Sequence, residues 1–484
     1  MHPFSKPVFH KLLLSLCFVC FTIVKLKAQQ NNFIFSPLSS VYYKDKIAQL
    51  EKYSVPKLYT DKSSQAWYDE ILTGRNKGLI EEFKDDNVIY DTLLLNKCNS
   101  ILSRIKAGNK NFRFDSITLY INRSVVANAA CYGEGSIMVN IGLFLWIDND
   151  DELAMVLGHE IAHQLLKHMD SKIEKSITML TSDEFKEELK KIKKADYGKF
   201  DRFRKLMKGL NIESGKHSTY KESEADSLGL ILTRNANFNI DNGAKILLKL
   251  DKVDELFSSN KLYALKEILG KAPVDQSYFI VKPKYNGLSS VKVTMNADKD
   301  MDSIKTHPDC IKRYETISGK KGFTITDCCT YLNTTYNSYK ERAMLEIVRF
   351  LYENKALGLC IHFSLFALKN NYNPVIYSDF LSLCFSKLYF EDKNLRRFNA
   401  ANAYANRETN LKETQDLLFA LSNSELDALA MYFLSTMTGS EPEDFDFANM
   451  MYNIEVKQKD TAAAYHSFNI KYPKSKYQYL IQKQ

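Results

Sequence analysis

The sequence predicts an α+β fold: a mainly helical domain with a small sheet, followed by an all-α C-terminal domain. Three observations predict it. Two short stretches read as strands, ITLYINRS from Ile117 to Ser124 and the start of GSIMVNIGLFLWI, Gly135 to Ile147. Much of the remaining chain spaces its apolar residues three and four apart, the period of an amphipathic helix. Beyond about Lys340 that period continues toward the C terminus with short breaks.

The first element is a targeting segment. Lys6 and Lys11 precede the apolar run LLLSLCFVCFTIV, Leu12 to Val24, and KLKAQQ follows. The run is too short to span a bilayer comfortably and suits a secretory signal peptide over residues 1–28, cleaved after Ala28. An uncleaved N-terminal anchor is the alternative. Neither Cys17 nor Cys20 follows the small residue a lipoprotein signal needs. No other run of eighteen apolar residues exists, so a soluble secreted protein is expected, periplasmic or associated with a membrane surface.

Removing this segment changes the charge argument. The formal charge is +8, but Lys6, Lys11, Lys25 and Lys27 lie within the first 28 residues, where there is no acid. The remaining 62 basic residues face 58 acidic ones, or +4, which gives no reason to expect a nucleic-acid partner. Seven cysteines remain, Cys98, Cys131, Cys310, Cys328, Cys329, Cys360 and Cys384. An odd number excludes complete intramolecular pairing, and the spacing fits no CxxC metal pattern. Buried free thiols are expected; a bridge from Cys310 to Cys328 or Cys329 is the alternative.

Residues 29–110 read as a polar helical segment that ends at a glycine. After the two strands, DNDDELAMVLGHEIAHQLLKHM starts with clustered acids, which suit a helix N-terminus. From Asp170 to Ser218 the chain is dense in Lys and Glu, an exposed helical excursion, with a membrane-surface helix as the alternative. KESEADSLGLILTRNA, about Tyr220 to Asn235, and NGAKILLKLDKVDELF are further helices. The C-terminal region, 331–484, resembles antiparallel helix pairs of the tetratricopeptide kind, although no strict period holds and an irregular bundle stands equally.

The chemistry sits in VLGHEIAHQLLKH. His159 and His163 are four apart, so on a helix they share a face and can direct two imidazoles at one metal ion. Glu160 lies about 100° round from His159, where it can take a proton from a water beside that metal. A catalytic zinc takes a third protein ligand and leaves a fourth position open. KESEADSLG offers Glu222 and Asp226, four apart on the next helix; spacing alone reads them equally as solvated acids. Glu222 as ligand and Asp226 as orienter of a ligand histidine would complete one Zn2+ site per chain.

HEIAH followed by ESEADSLGL resembles the HtpX-like and BepA-like zinc metallopeptidases of peptidase family M48. NAACYGEGSIMVNIGLF, Asn128 to Phe144, is similar to the segment before that family's metal helix, and KTHPDCIKRYETI carries its Thr-His-Pro followed by an Arg. The likeness covers roughly 110–325 and implies a gluzincin-type domain over 111–330. It implies His159, His163 and Glu222 as zinc ligands, Glu160 as general base, Asp226 as orienter and His307 close to the cleft. It implies substrate binding beside the strand Ile137 to Val139, unfolded or misassembled polypeptides as substrates, and an envelope assembly complex docked on the C-terminal helices. Departures are Ala130–Cys131 in place of an aromatic, the 58 residues between His163 and Glu222, and the long segment before His307. His168 and His217 fit no ligand slot and are expected on the surface. A chaperone or adaptor with a latent, occluded zinc site is the runner-up. A structural zinc site is disfavoured, since such sites prefer four Cys or His ligands.

Overall fold

The computed structural model describes residues 42–195, 197–251, 262–279, 310–319, 336–394, 396, 412–437 and 440–483. The N-terminal targeting segment, Cys328, Cys329 and His307 lie outside the described residues. Within residues 207–219 only the backbone is described, so nothing bears on the His217 side chain.

The sheet has four strands in the order β1-β2-β4-β3: β1 Val88–Ile89, β2 Thr118–Asn122, β3 Ala129–Cys131 and β4 Ser136–Asn140. β1 pairs antiparallel with β2, β2 runs parallel to β4, and β3 returns antiparallel to β4. Both expected strands form, with shorter bounds. β1 is an addition within a segment that reads as helical.

Alternation along these strands feeds two cores. Leu119, Ile121, Ile137 and Val139 enter the main apolar core, while Tyr120 and Met138 face a second one with Tyr43, Ile47, Leu79 and Phe83. Helices α1 (Lys44–Glu51) and α2 (Lys62–Lys84) supply that second core. Burying each of these large side chains contributes about 1.5–3 kcal/mol.

Helix α3 (Thr92–Gly108) packs against β2 and against α4 (Asp150–Leu165), which carries the histidine motif. The Asn149 side chain accepts from the Glu152 N–H at 3.0 Å, and Asp150, Asp151 and Glu152 fill the first turn, so capping and dipole agree there. α4 stops where Lys167 takes a left-handed conformation, φ +54°. α5 (His168–Leu180), α6 (Asp183–Lys194) and α7 (Lys199–Asn235) make up the charged excursion and the helix expected over 220–235. At 1.5 Å per residue, α7 is about 55 Å long. Its C-terminal half crosses α4 where two glycines meet: a Cβ on Gly229 would stand 3.0 Å from the His159 backbone nitrogen.

Short helices α8 (Ile240–Gly243), α9 (Lys245–Asp251), α10 (Leu262–Leu269) and α11 (Cys310–Ser318) close the central region. Next come α12 (Asn337–Glu353), α13 (Leu357–Lys369), α14 (Pro374–Lys393), α15 (Lys412–Ala420), α16 (Asn423–Ser435), α17 (Pro442–Glu455), α18 (Thr461–Lys471) and α19 (Gln478–Lys483). α14 packs against α12, α13, α16 and α17. The apolar core is continuous from Ile89 to Leu480. No single helix among the described residues is long and apolar enough to cross a membrane.

Buried ions join the C-terminal helices to the central region. Lys249 donates to the Trp146 carbonyl at 3.0 Å, to Asp148 at 2.5 Å and to both Glu152 oxygens at 2.7 Å, while Lys340 on α12 donates to Asp148. Arg123 meets Glu353 at 2.9 Å, and Arg349 pairs with Glu346 and Glu353. Cys98, Cys360 and Cys384 are free and buried, as expected; Cys131 is free and half-buried, and Cys310 is buried, with both of its candidate bridge partners, Cys328 and Cys329, outside the described residues.

Candidate metal centre

His159 and His163 lie one turn apart on α4, and Glu222 reaches them from α7. The two Nε2 atoms stand 3.0 Å apart. His159 Nε2 is 3.4 Å from Glu222 Oε2, and His163 Nε2 is 3.5 Å from Glu222 Oε1. One donor atom from each of the three residues falls within 4.8 Å of the others. Two imidazole nitrogens and one carboxylate oxygen are a donor set that zinc accepts.

The groups behind the cluster fix the rings. His159 Nδ1 lies 2.9 Å from Asp226 Oδ1. A carboxylate can only accept there, so the Nδ1 proton is held and Nε2 keeps its lone pair for a metal. Arg313 on α11 forks onto Asp226, with Nε to Oδ2 at 2.8 Å and a terminal nitrogen to Oδ1 at 2.7 Å, and approaches Glu222 at 3.8 Å. Burial pushes the Asp226 pKa up, but the bonds from His159 and Arg313 outweigh it and hold the carboxyl below its ordinary range. Burial likewise pulls His159 down, and its bonds to Asp226 and Glu222 reverse this, raising it to about 9, so without a metal Nε2 holds a proton toward Glu222, which a bound metal would displace.

Glu160 is 3% exposed and lines an open cleft, with His159, Asp226 and Arg313 on its polar side. Apart from Asn128, the other walls are apolar: Leu143, Met155 and Val156 from the α4 side, Ile246, Leu247 and Leu250 from α9, and Ala129 from β3.

The structure corrects two expectations. β4, which carries Ile137 to Val139, is paired on both sides and cannot receive a further strand; the edge beside the cluster is β3. The bonds Asn140 N–H to Asn128 O and Tyr132 N–H to Ser136 O fix the alternation of this ladder. Ala129 and Cys131 therefore turn their main-chain groups to the edge of β3 that pairs with no strand among the described residues. His168, expected on the surface, is 8% exposed, with Nδ1 2.9 Å from His163 Nδ1. Five residues apart on one helix would put the two about 140° apart. The left-handed turn at Lys167 brings them together, which residue spacing cannot foretell. Cys131 also stands beside the site, its thiol donating to Gln164 at 3.1 Å, and burial raises its pKa to about 12, which disfavours a thiolate.

Residues 97–321 match the model described as Peptidase family M48. This part of the chain belongs to that family. A "Beta-barrel assembly-enhancing protease" of Yersinia pestis is 33% identical over 82 residues, 17% of this chain and 17% of that protein. The chain thus matches under a fifth of that relative's length. The family supports a metallopeptidase role for this part of the chain, and the span holds His159, Glu160, His163, Glu222, Asp226 and Arg313, as well as His307. Arg313 had only a motif position in the sequence; its ion pair with Asp226 needed the fold.

Proposed function

We propose that the chain is a secreted zinc-dependent endopeptidase that hydrolyses peptide bonds in unfolded or misassembled polypeptides. The observation that carries this reading is the convergence of His159, His163 and Glu222 next to Glu160, on a cavity bordered by a free strand edge. Bound by those three residues, zinc would polarise an amide carbonyl and lower the pKa of water to about 7. Glu160 takes the proton of the attacking water and hands it to the leaving nitrogen. The substrate lies extended along β3, its main chain bonded to Ala129 and Cys131, and an apolar side chain enters the cavity between Leu143 and Leu247. Asp226, held by Arg313, keeps His159 in the tautomer that presents Nε2. His307, by its place in the Thr-His-Pro motif, borders the cleft.

The wider reading is a role in protein quality control of the cell envelope, in the periplasm, with the tetratricopeptide-like C-terminal helices docking an assembly complex. It is supported by the N-terminal signal pattern and by the name of the Yersinia relative. The deciding experiment is digestion of casein by residues 29–484 beside the Glu160→Gln variant, both loaded with zinc and assayed for bound metal. Cleavage by the parent alone supports the peptidase. Bound zinc with no cleavage by either protein would transfer the function to a latent-site chaperone or adaptor.

A further inference from the structure

His163 has the same requirement as His159. If Nε2 is to hold a metal, the ring proton must sit on Nδ1 and needs an acceptor there. For His159 that acceptor is the Asp226 carboxylate. For His163 the facing atom is an imidazole nitrogen, His168 Nδ1, at 2.9 Å and nearly edge-on, with the ring planes 75° apart.

A nitrogen that accepts cannot carry a proton, so His168 bears its own proton on Nε2. That Nε2 is buried and makes no hydrogen bond in this structure; Glu224 Oε2, on a half-exposed carboxylate, stands 3.4 Å away, close enough to attract its proton. Lys221 donates to the His168 main-chain carbonyl at 3.1 Å. Both Lys221 and Glu224 belong to α7, the helix that delivers Glu222. One helix therefore supplies a cluster carboxylate and seats the ring behind a cluster histidine. His168 is no ligand itself: its Nδ1 meets His163 on the side away from Nε2.

We propose that His168 is a positioning residue of the metal centre: it accepts the Nδ1–H of His163 and so fixes that ring in the tautomer and orientation that turn Nε2 toward Glu222. The inference rests on the zinc reading above. The left-handed Lys167 then has a purpose, since ending α4 there and restarting the chain as α5 is what aims His168 back at His163.

The test is zinc affinity, by competition with a chromophoric chelator, for the full secreted chain, with melting before zinc addition as the check on folding. His168→Ala should weaken zinc binding by about 10–100-fold, the usual loss when the group behind a ligand histidine is removed. His168→Asn places an amide oxygen near the position of Nδ1 and should stay within about threefold of the parent, the worth of a weakened hydrogen bond. If the alanine variant does not fold, His168→Gln replaces it, because its acceptor lies one bond too far out; it should bind zinc as weakly as expected for alanine. Parent-like affinity in the alanine or glutamine variant would overturn the inference, and so would an asparagine variant as weak as alanine. A parent that binds no zinc would instead overturn the zinc reading on which the inference stands.

Discussion

Gly229→Ala isolates how closely α4 and α7 must approach for the site to exist. The added Cβ would stand 3.0 Å from the His159 nitrogen, 3.1 Å from its Cα and 3.1 Å from the Gly158 carbonyl carbon. All three are backbone atoms of α4, so no side chain can swing aside. Restoring ordinary contact at 3.4 Å from 3.0 Å requires the helices to part by about 0.4 Å. Metal–ligand distances tolerate about 0.2 Å, so the separation spoils the match between Glu222 and the two histidines. Alanine gains about 1 kcal/mol in helix propensity, while overpacking costs about 1–3 kcal/mol, for a net loss of about 0–2 kcal/mol. Gly74→Ala is the control, since nothing lies within 4 Å of its added methyl; it should gain about 0.5–1 kcal/mol. Calorimetric melting and chelator competition report the two quantities separately. The expected result is a lower melting temperature than Gly74→Ala and weaker zinc binding than the parent. A Gly229→Ala protein that is stabilised like the control and keeps full zinc affinity would refute the reasoning.

Other outcomes are fixed by the same geometry. Glu222→Gln should leave the fold intact and strip most of the bound zinc, measured by atomic absorption; normal metal content would remove Glu222 from the ligand set. Cys131→Pro deletes an N–H aimed at the free edge of β3 and not at β4, so the protein should fold while KM for a peptide substrate rises about 2–13-fold, the worth of one hydrogen bond of about 0.5–1.5 kcal/mol. An unchanged KM would place the substrate elsewhere. Burial raises the Glu346 pKa, but Arg349, Arg123 and Arg342 outweigh it and hold the carboxyl below its ordinary 4.5. A depressed folded-state pKa contributes stability above the unfolded value and loses it as pH falls through the folded one. Melting temperature should therefore drop below about pH 4.5, and Glu346→Gln, less stable at pH 7, should show a shallower acid decline; equal slopes would contradict this.

The sequence by itself determined the local parts. Period-2 and period-3.6 patterns located β2, β4 and α4, because each reflects which side chains one element can bury together. The four-residue spacings in His159–His163 and Glu222–Asp226 fixed two chemical faces, because a helix places such residues on one side wherever it sits. The tertiary structure alone decided how those faces meet. It chose β3 over β4 as the free edge, since strand order depends on pairings between distant segments. It set Arg313 on Asp226, 87 residues away in the chain. It turned His168 inward through one left-handed residue, Lys167, whose backbone angle no periodicity encodes. Spacing carries information only within a continuous element; where the chain breaks or two helices cross, packing supplies the rest.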